Sequence, residues 1–301
     1  MLDRAALVET ARVSIDKGSK SFALASKLFD KKTRERAWLL YAWCRRCDDI
    51  ADGQEHGGAL SNDGDAAGRL VRIRTLTQQA FDELPTGDPA FDAFGLVARE
   101  CHIPYHYADD LIAGFALDAE DWRPQTTEDL IRYCYHVAGV VGIMMALVMG
   151  VDPQDDETLS RACDLGYAFQ LANIARDVRE DADAGRCYLP QDWLDAAGIG
   201  SPTISTSSPD IDFWSDEAAD ARRQITQRLA DKAQRYEASA RLGARKLPFR
   251  SRWAVLAAAG IYGDIAREVG RRGEKAWDQR VVTTKTAKLS WVARALVAAV
   301  T

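Results

Sequence analysis

The sequence predicts an all-α protein, and three observations carry the prediction. Apolar residues recur at the three-to-four-residue spacing of helices along nearly the whole chain. No convincing stretch alternates with the period of two that a half-buried strand requires. Every proline falls between the periodic segments or within the first two residues of one.

The first segment, 3–17, sets Asp3, Arg4, Glu9, Arg12, Asp16 and Lys17 into an amphipathic pattern. It lacks the continuous apolar run of a signal peptide and reads as a helix of the folded domain. Helices at 20–29 and 33–52 follow, and Gly53 with Gly57 and Gly58 closes the second of these. Segments at 65–83, 88–101 and 104–117 lead to 126–150, which ends before Pro153. The next helix is 155–182. Pro190 opens a short one at 189–197, and Pro202 and Pro209 bracket a Ser/Thr-rich loop. Helices at 213–243, 249–272 and 284–299 complete the chain. The connections 53–68 and 198–212 are expected to be mobile. Helical patterns resume on both sides of each, so neither is a domain linker, and a single domain spanning 1–301 is predicted.

The 301 residues are 47% hydrophobic, enough for a large core. Net charge is 39 − 45 = −6, which argues against nucleic-acid binding, because that needs a basic footprint to displace counterions. Cysteines 44, 47, 101, 134, 163 and 187 lie mostly in apolar helical patterns and read as reduced core thiols of a cytoplasmic protein. The stretch 133–151 has no Asp, Glu, Lys or Arg and reaches the lower length range of a membrane span. Its three glycines, the polar Tyr135-His136 pair and the missing aromatic belt favour the central helix of a large bundle instead. Cys44 and Cys47 form a lone pair on one helix, which does not make a zinc site. His102 and His106 are separated by Pro104 and have no acidic third ligand. No Gly-x-Gly-x-x-Gly follows a strand, so a Rossmann dinucleotide site is not indicated.

The chemistry concentrates on two helix faces. Arg45, Asp48, Asp49 and Asp52 stand at i, i+3, i+4 and i+7, and Gln170, Asn173, Asp177 and Asp181 share a second face. The residues between the members of the second set, Leu171, Ala172, Ile174 and Ala175, are apolar, so much of that helix is buried. Like charges one turn apart repel by about 0.2–0.5 kcal/mol on an exposed helix, and more where water is excluded. Local ion pairs with Arg45, Arg46, Arg176 and Arg179 would account for one such motif. Two of them, each on an apolar helix, fit a hard cation better. Mg²⁺ takes one or two carboxylates and completes its octahedron with water and phosphate oxygens.

Longer patterns around these residues resemble the squalene/phytoene synthase family over nearly the whole chain. They are Tyr133-Cys134-Tyr135-His136-Val137-Ala138-Gly139-Val140-Val141-Gly142, and the run from Leu165-Gly166 through Gln170, Asn173, Arg176-Asp177 and Glu180-Asp181 to Arg186-Cys187-Tyr188-Leu189-Pro190. Gly18-Ser19-Lys20-Ser21-Phe22, Leu40-Tyr41-Ala42-Trp43-Cys44-Arg45 and Ala276-Trp277-Asp278-Gln279-Arg280 look most like its bacterial phytoene-forming members.

The resemblance implies an isoprenoid-synthase helical bundle with a central cavity. It also implies head-to-head condensation of two geranylgeranyl diphosphates through prephytoene diphosphate, in carotenoid biosynthesis. Asp48, Asp52, Asn173, Asp177 and Asp181 are the implied metal ligands, for Mg²⁺ with Mn²⁺ as a substitute. Arg45 and Arg176 are the implied diphosphate contacts. Ser21, Tyr41, Tyr135, Gln170, Tyr188 and Tyr262 are implied to bind substrate. No NADPH is expected. The nearest rival is the same chemistry on fifteen-carbon donors; a non-catalytic helical assembly or lipid-binding protein of the same fold is the other. Greasy donor and product imply peripheral contact with the inner membrane face and with neighbouring carotenoid-pathway enzymes. Tyr41, Tyr135 and Tyr262 are candidates to steady a carbocation. Gly139, Gly142, Ala146, Ala23 and Ser26 are expected to leave room for the prenyl chain.

Overall fold

The computed structural model describes residues 3–53, 65–120, 122–203 and 211–301, without the side chains of residues 20 and 21. The helices are α1 (Arg4–Gly18), α2 (Lys20–Ser26), α3 (Lys31–Ala51), α4 (Ala66–Phe81), α5 (Pro89–Cys101), α6 (Tyr105–Ala119), α7 (Thr127–Cys134), α8 (Val140–Val148), α9 (Asp156–Asp183), α10 (Gln191–Ala197), α11 (Ala219–Gly243), α12 (Phe249–Arg272) and α13 (Lys285–Val300). Among the described residues there is no strand, and the only β contact is an isolated bridge between Ile199 and Ile211. Much of the connections 53–68 and 198–212 lies outside the described residues.

Side-chain caps start most of these helices. Asp3, Ser19, Asp30, Asp65, Asp88, Asp155 and Thr284 each accept from a backbone N–H of the first turn, and Thr126 forms a capping box with Asp129. Each such cap contributes about 1 kcal/mol. The helix expected at 213–243 begins later, at Ala219, after a 3-10 turn over Asp216–Ala218.

The central element is α9, packed against α8, α11 and α12. Its approach to α8 depends on two glycines. A Cβ on Gly166 would lie 2.2 Å from the Ala138 carbonyl oxygen, and one on Gly142 would lie 2.3 Å from that of Ala162. Gly139 was expected to open space for a prenyl chain, but it lies against Cys163 and Tyr167. These glycines therefore set helix separation, and Gly142 and Gly166 also touch the cavity while Gly139 does not.

The apolar segment expected as one helix over 126–150 contains a π-turn, Tyr135–Gly139, between α7 and α8. Thr127–Val148 is long and apolar enough to cross a membrane, yet half of its most apolar window is buried. One of its faces borders the cavity through Tyr133, Val137, Val141, Met145 and Met149. All six cysteines are unpaired, and all but Cys44 are buried.

Candidate active site

A cavity of about 690 Å³ runs along α9, with Asn173 and Gln170 towards one end and Ala162 and Thr158 towards the other. At 1.5 Å per residue that stretch of α9 covers about 22 Å. The end nearer the C-terminus of α9 is polar, with Arg45, Asp48, Asp118, Arg186 and Tyr188 in its wall. The other end is walled largely by apolar side chains, among them Phe29, Met149, Leu247 and Ala254.

Both acidic motifs stand towards the C-terminal ends of their helices, α3 and α9. Backbone dipoles put negative partial charge at such ends, and neither helix has a basic residue in its last turn. Arg45 reaches Asp48 at 2.7 Å and Asp49 at 2.6 Å. Asp49, expected to share the functional face, is 3% exposed and does not line the cavity, so it serves as the buried partner of Arg45. Burial, and then the charge of Asp52, push the Asp48 carboxyl up to about 6. Its side chain keeps 44% exposure, and it lies in the cavity wall.

On α9 the two carboxylates differ. Burial alone would raise Asp177, but hydrogen bonds from Arg176 Nε at 2.7 Å and Arg280 Nε at 2.8 Å outweigh it and hold Asp177 low. Among the described residues, none gives Asp181 a hydrogen bond of this kind. Burial first and Asp177 second push it up to about 7.

The motifs meet through two residues that sequence reasoning left without a role. Arg186, just past the end of α9, comes within 3.7 Å of Asp52 Oδ1 at the end of α3. Asp118 of α6 accepts hydrogen bonds from Tyr133 at 3.0 Å and Tyr188 at 2.9 Å. Its charge is felt by both Asp48 and Asp181. The available signal for Asp118 was its place as the first carboxylate after the apolar run Leu111, Ile112, Phe115 and Leu117. Tyr133 and Tyr188 stack with centroids 4.9 Å apart, and Trp122 stacks on Tyr133 at 5.4 Å.

Of the expected site residues, Arg45, Asp48, Tyr41, Gln170, Asn173, Tyr188 and Tyr262 line the cavity. Asp52, Arg176, Asp177 and Asp181 are not in its wall, but the contacts above tie them to its polar end. Tyr262 stacks on Phe169 at 4.1 Å. Tyr135 is a correction. Its hydroxyl donates to Asp110 at 2.6 Å and it does not line the cavity; Tyr133 does. Two residues apart on a helix, Tyr133 and Tyr135 stand about 200° from each other around the axis, so only one of them can face the cavity. Ser26 is a second correction: it is fully buried, accepts from Trp38 Nε1 at 3.0 Å and lies outside the wall, as does Ala23. The side chain of Ser21 lies outside the described residues.

Among the described residues, no three His, Cys, Asp or Glu side chains gather into a ready-made metal centre. The donors come as carboxylate pairs with an amide. That fits Mg²⁺, which takes few protein ligands and fills its shell with water and phosphate oxygens. Raised, mutually repelling carboxylates at negative helix ends fit a cation on the same grounds.

Residues 15–287 match the squalene/phytoene synthase family. A phytoene synthase of Pseudescherichia vulneris is 46% identical over 94% of this chain and 89% of its own length. A 15-cis-phytoene synthase of Enterobacter agglomerans is likewise 46% identical, over 94% and 93%. In three dimensions the chain is similar to a crystal structure of a dehydrosqualene synthase in complex with ligand. That structure aligns with a TM-score of 0.81 at 24% identity, over 97% of this chain and 96% of the other. With so large a share of the sequence matched, and the helical bundle and cavity in place, the chain belongs to the squalene/phytoene synthase family.

Proposed function

We propose that this chain is a Mg²⁺-dependent phytoene synthase that joins two geranylgeranyl diphosphates head to head. The observation that carries the reading is the meeting of two acidic helix ends, from α3 and α9, at the polar end of a long, mostly apolar cavity. Relatives named phytoene synthase at 44–46% identity support the product.

Asp48 and Asp52 would hold metal on one side, and Asn173, Asp177 and Asp181 on the other, with Mn²⁺ able to substitute. Bound Mg²⁺ supplies Lewis-acid neutralisation of the departing diphosphate oxygens. Arg45 and Arg186 bring guanidinium donors to the same end of the cavity. Arg176 orients Asp177 and becomes a diphosphate donor when it swings away from it. Loss of the first diphosphate leaves an allylic cation. Attack by the second donor and loss of a proton give prephytoene diphosphate. A second ionisation, rearrangement and proton loss give phytoene, so two diphosphates and two protons leave in all.

Water would quench either cation to an alcohol, and the apolar wall excludes it. The faces of Tyr41, Phe169 and Tyr262 steady positive charge. Asp118 holds the hydroxyls of Tyr133 and Tyr188 beside the polar end. No step consumes hydride, so no NADPH is required. Donor and product both partition into lipid, so the protein works on the cytoplasmic side in peripheral contact with the membrane and passes phytoene to neighbouring carotenoid-pathway enzymes.

The test is incubation of purified protein with twenty-carbon and fifteen-carbon donors, with and without NADPH, followed by product chromatography. Phytoene from the twenty-carbon donor, independent of NADPH, is expected. Squalene or dehydrosqualene as the main product would overturn the donor assignment, and absence of pyrophosphate release would overturn catalysis.

A further inference from the structure

The outward face of α13 is apolar. Leu289 and Val297 are each 64% exposed and Val300 68%, with Leu296 beside them, while Ala295 and Ala299 on the inner face are buried. The charged residues of α13 are Lys285, Lys288 and Arg294, with no Asp or Glu from 283 to the end, in a chain whose net charge is −6. The helix is firmly seated: Trp291 packs on Gly260 and bonds Asp264. It lies almost wholly beyond the residues matched to the family, 15–287.

This face continues onto the connection between α11 and α12. Trp253 Nε1 donates to the Val292 carbonyl at 2.8 Å and Arg252 to that of Ala299 at 3.2 Å, which stitches the start of α12 to α13. Arg250 donates to the Leu28 carbonyl at 2.8 Å, bringing the end of α2 alongside. Leu242, Phe249 and Leu24 are exposed here, with Arg245 and Arg250 among them, and residues 238–263 contain no Asp or Glu. The acidic groups at its border, Asp155 and Glu157, are both engaged by Lys246. The inner side of the same connection supplies Ala244, Leu247 and Ala254 to the apolar end of the cavity.

We propose that this surface, α13 with the α11–α12 connection, docks on an anionic lipid bilayer and sets the apolar end of the cavity against the membrane. Exposed apolar side chains interspersed with lysine and arginine match an interfacial helix on anionic headgroups, and the bordering carboxylates Asp155, Glu157 and Asp264 are each engaged by a lysine, an arginine or an indole N–H. The proposal rests on the prenyl-diphosphate reading above, and it assigns the face through which a water-insoluble product leaves.

The experiment is flotation of the full chain with vesicles of equal parts phosphatidylglycerol and phosphatidylethanolamine, against vesicles of phosphatidylcholine alone. Pyrophosphate release is measured in parallel in detergent micelles. The wild type should float with the anionic vesicles. Leu289→Gln/Val297→Gln/Val300→Gln should lower partitioning by about tenfold or more, and Lys285→Gln/Arg294→Gln should lower it on anionic vesicles alone. Both variants should keep wild-type turnover in micelles. Undiminished flotation of the variants, a wild type that does not float, or burial of the face in a dimer by sedimentation would each overturn the proposal. Turnover in micelles judges the catalytic reading separately from these results.

Discussion

Arg186 approaches Asp52 to 3.7 Å, and this contact links the ends of the two helices that carry the acidic motifs. The pair is half-open to solvent, so as an ion pair it contributes less than about 1 kcal/mol to stability. Its position at the polar end of the cavity gives it a functional weight that stability does not reveal. Arg186→Gln should therefore leave the thermal melting point nearly unchanged while lowering kcat/KM by about ten- to a hundredfold. Melting curves and steady-state kinetics on the same preparation check both halves.

The raised carboxyls of Asp48, about 6, and Asp181, about 7, give stability a definite sign with pH. A carboxyl raised on folding keeps its proton longer in the folded chain than in the unfolded one. Between the ordinary value of 3.8 and these values the folded state binds more protons, so stability falls as pH rises through about 4 to 7 and then levels off. The metal-free protein should lose melting temperature from pH 5 to pH 7.5. Asp48→Asn/Asp181→Asn should flatten that decline, and added Mg²⁺ should restore the wild type at pH 7.5 and do little for the variant. A decline of equal slope in the variant would remove these carboxyls as its source.

Tyr133 and Tyr135 separate a cavity residue from a structural one. Tyr133→Phe loses a hydroxyl held by Asp118 beside the acidic motifs and should lower turnover by about tenfold or more. Tyr135→Phe loses its bond to Asp110 and should cost about 1 kcal/mol of stability with turnover kept. The reverse pattern in melting and kinetic measurements would contradict the placement.

Ala146 and Ser26 make a similar contrast for chain length. Ala146 lies in the cavity wall, so Ala146→Phe should shift preference from the twenty-carbon to the fifteen-carbon donor. Ser26 is fully buried against Trp38 outside the wall, so Ser26→Phe should cost about 1–3 kcal/mol by overpacking, with no change of donor preference. Competition between the two donors, scored by product, distinguishes the variants.

The sequence made the helices and the two acidic faces legible because both are local. Helical periodicity, caps and carboxylates at i, i+4 can all be read within one segment. What it could not show depends on how segments meet. Which of Tyr133 and Tyr135, on opposite sides of one helical segment, faces the cavity is settled only when that segment packs on α6 and α9. Asp118 gains its place only when α6 folds under Tyr133 and Tyr188, from far along the chain. Gly139 and Gly142 read as space for a ligand, whereas a neighbouring helix packs closely against both. Asp49 shares the spacing of Asp48 but lies on the buried side of α3.

The central claim is that the two acidic helix ends act together on prenyl diphosphates. Its most direct test is release of pyrophosphate and phytoene from geranylgeranyl diphosphate by the wild type and by Asp48→Asn and Asp181→Asn, with Mg²⁺ and with excess chelator. Turnover should require Mg²⁺ and yield two pyrophosphates per phytoene, and should fall by about a hundredfold or more in each variant, with the helical circular dichroism kept. Full turnover in chelator, or in either variant, would contradict the account.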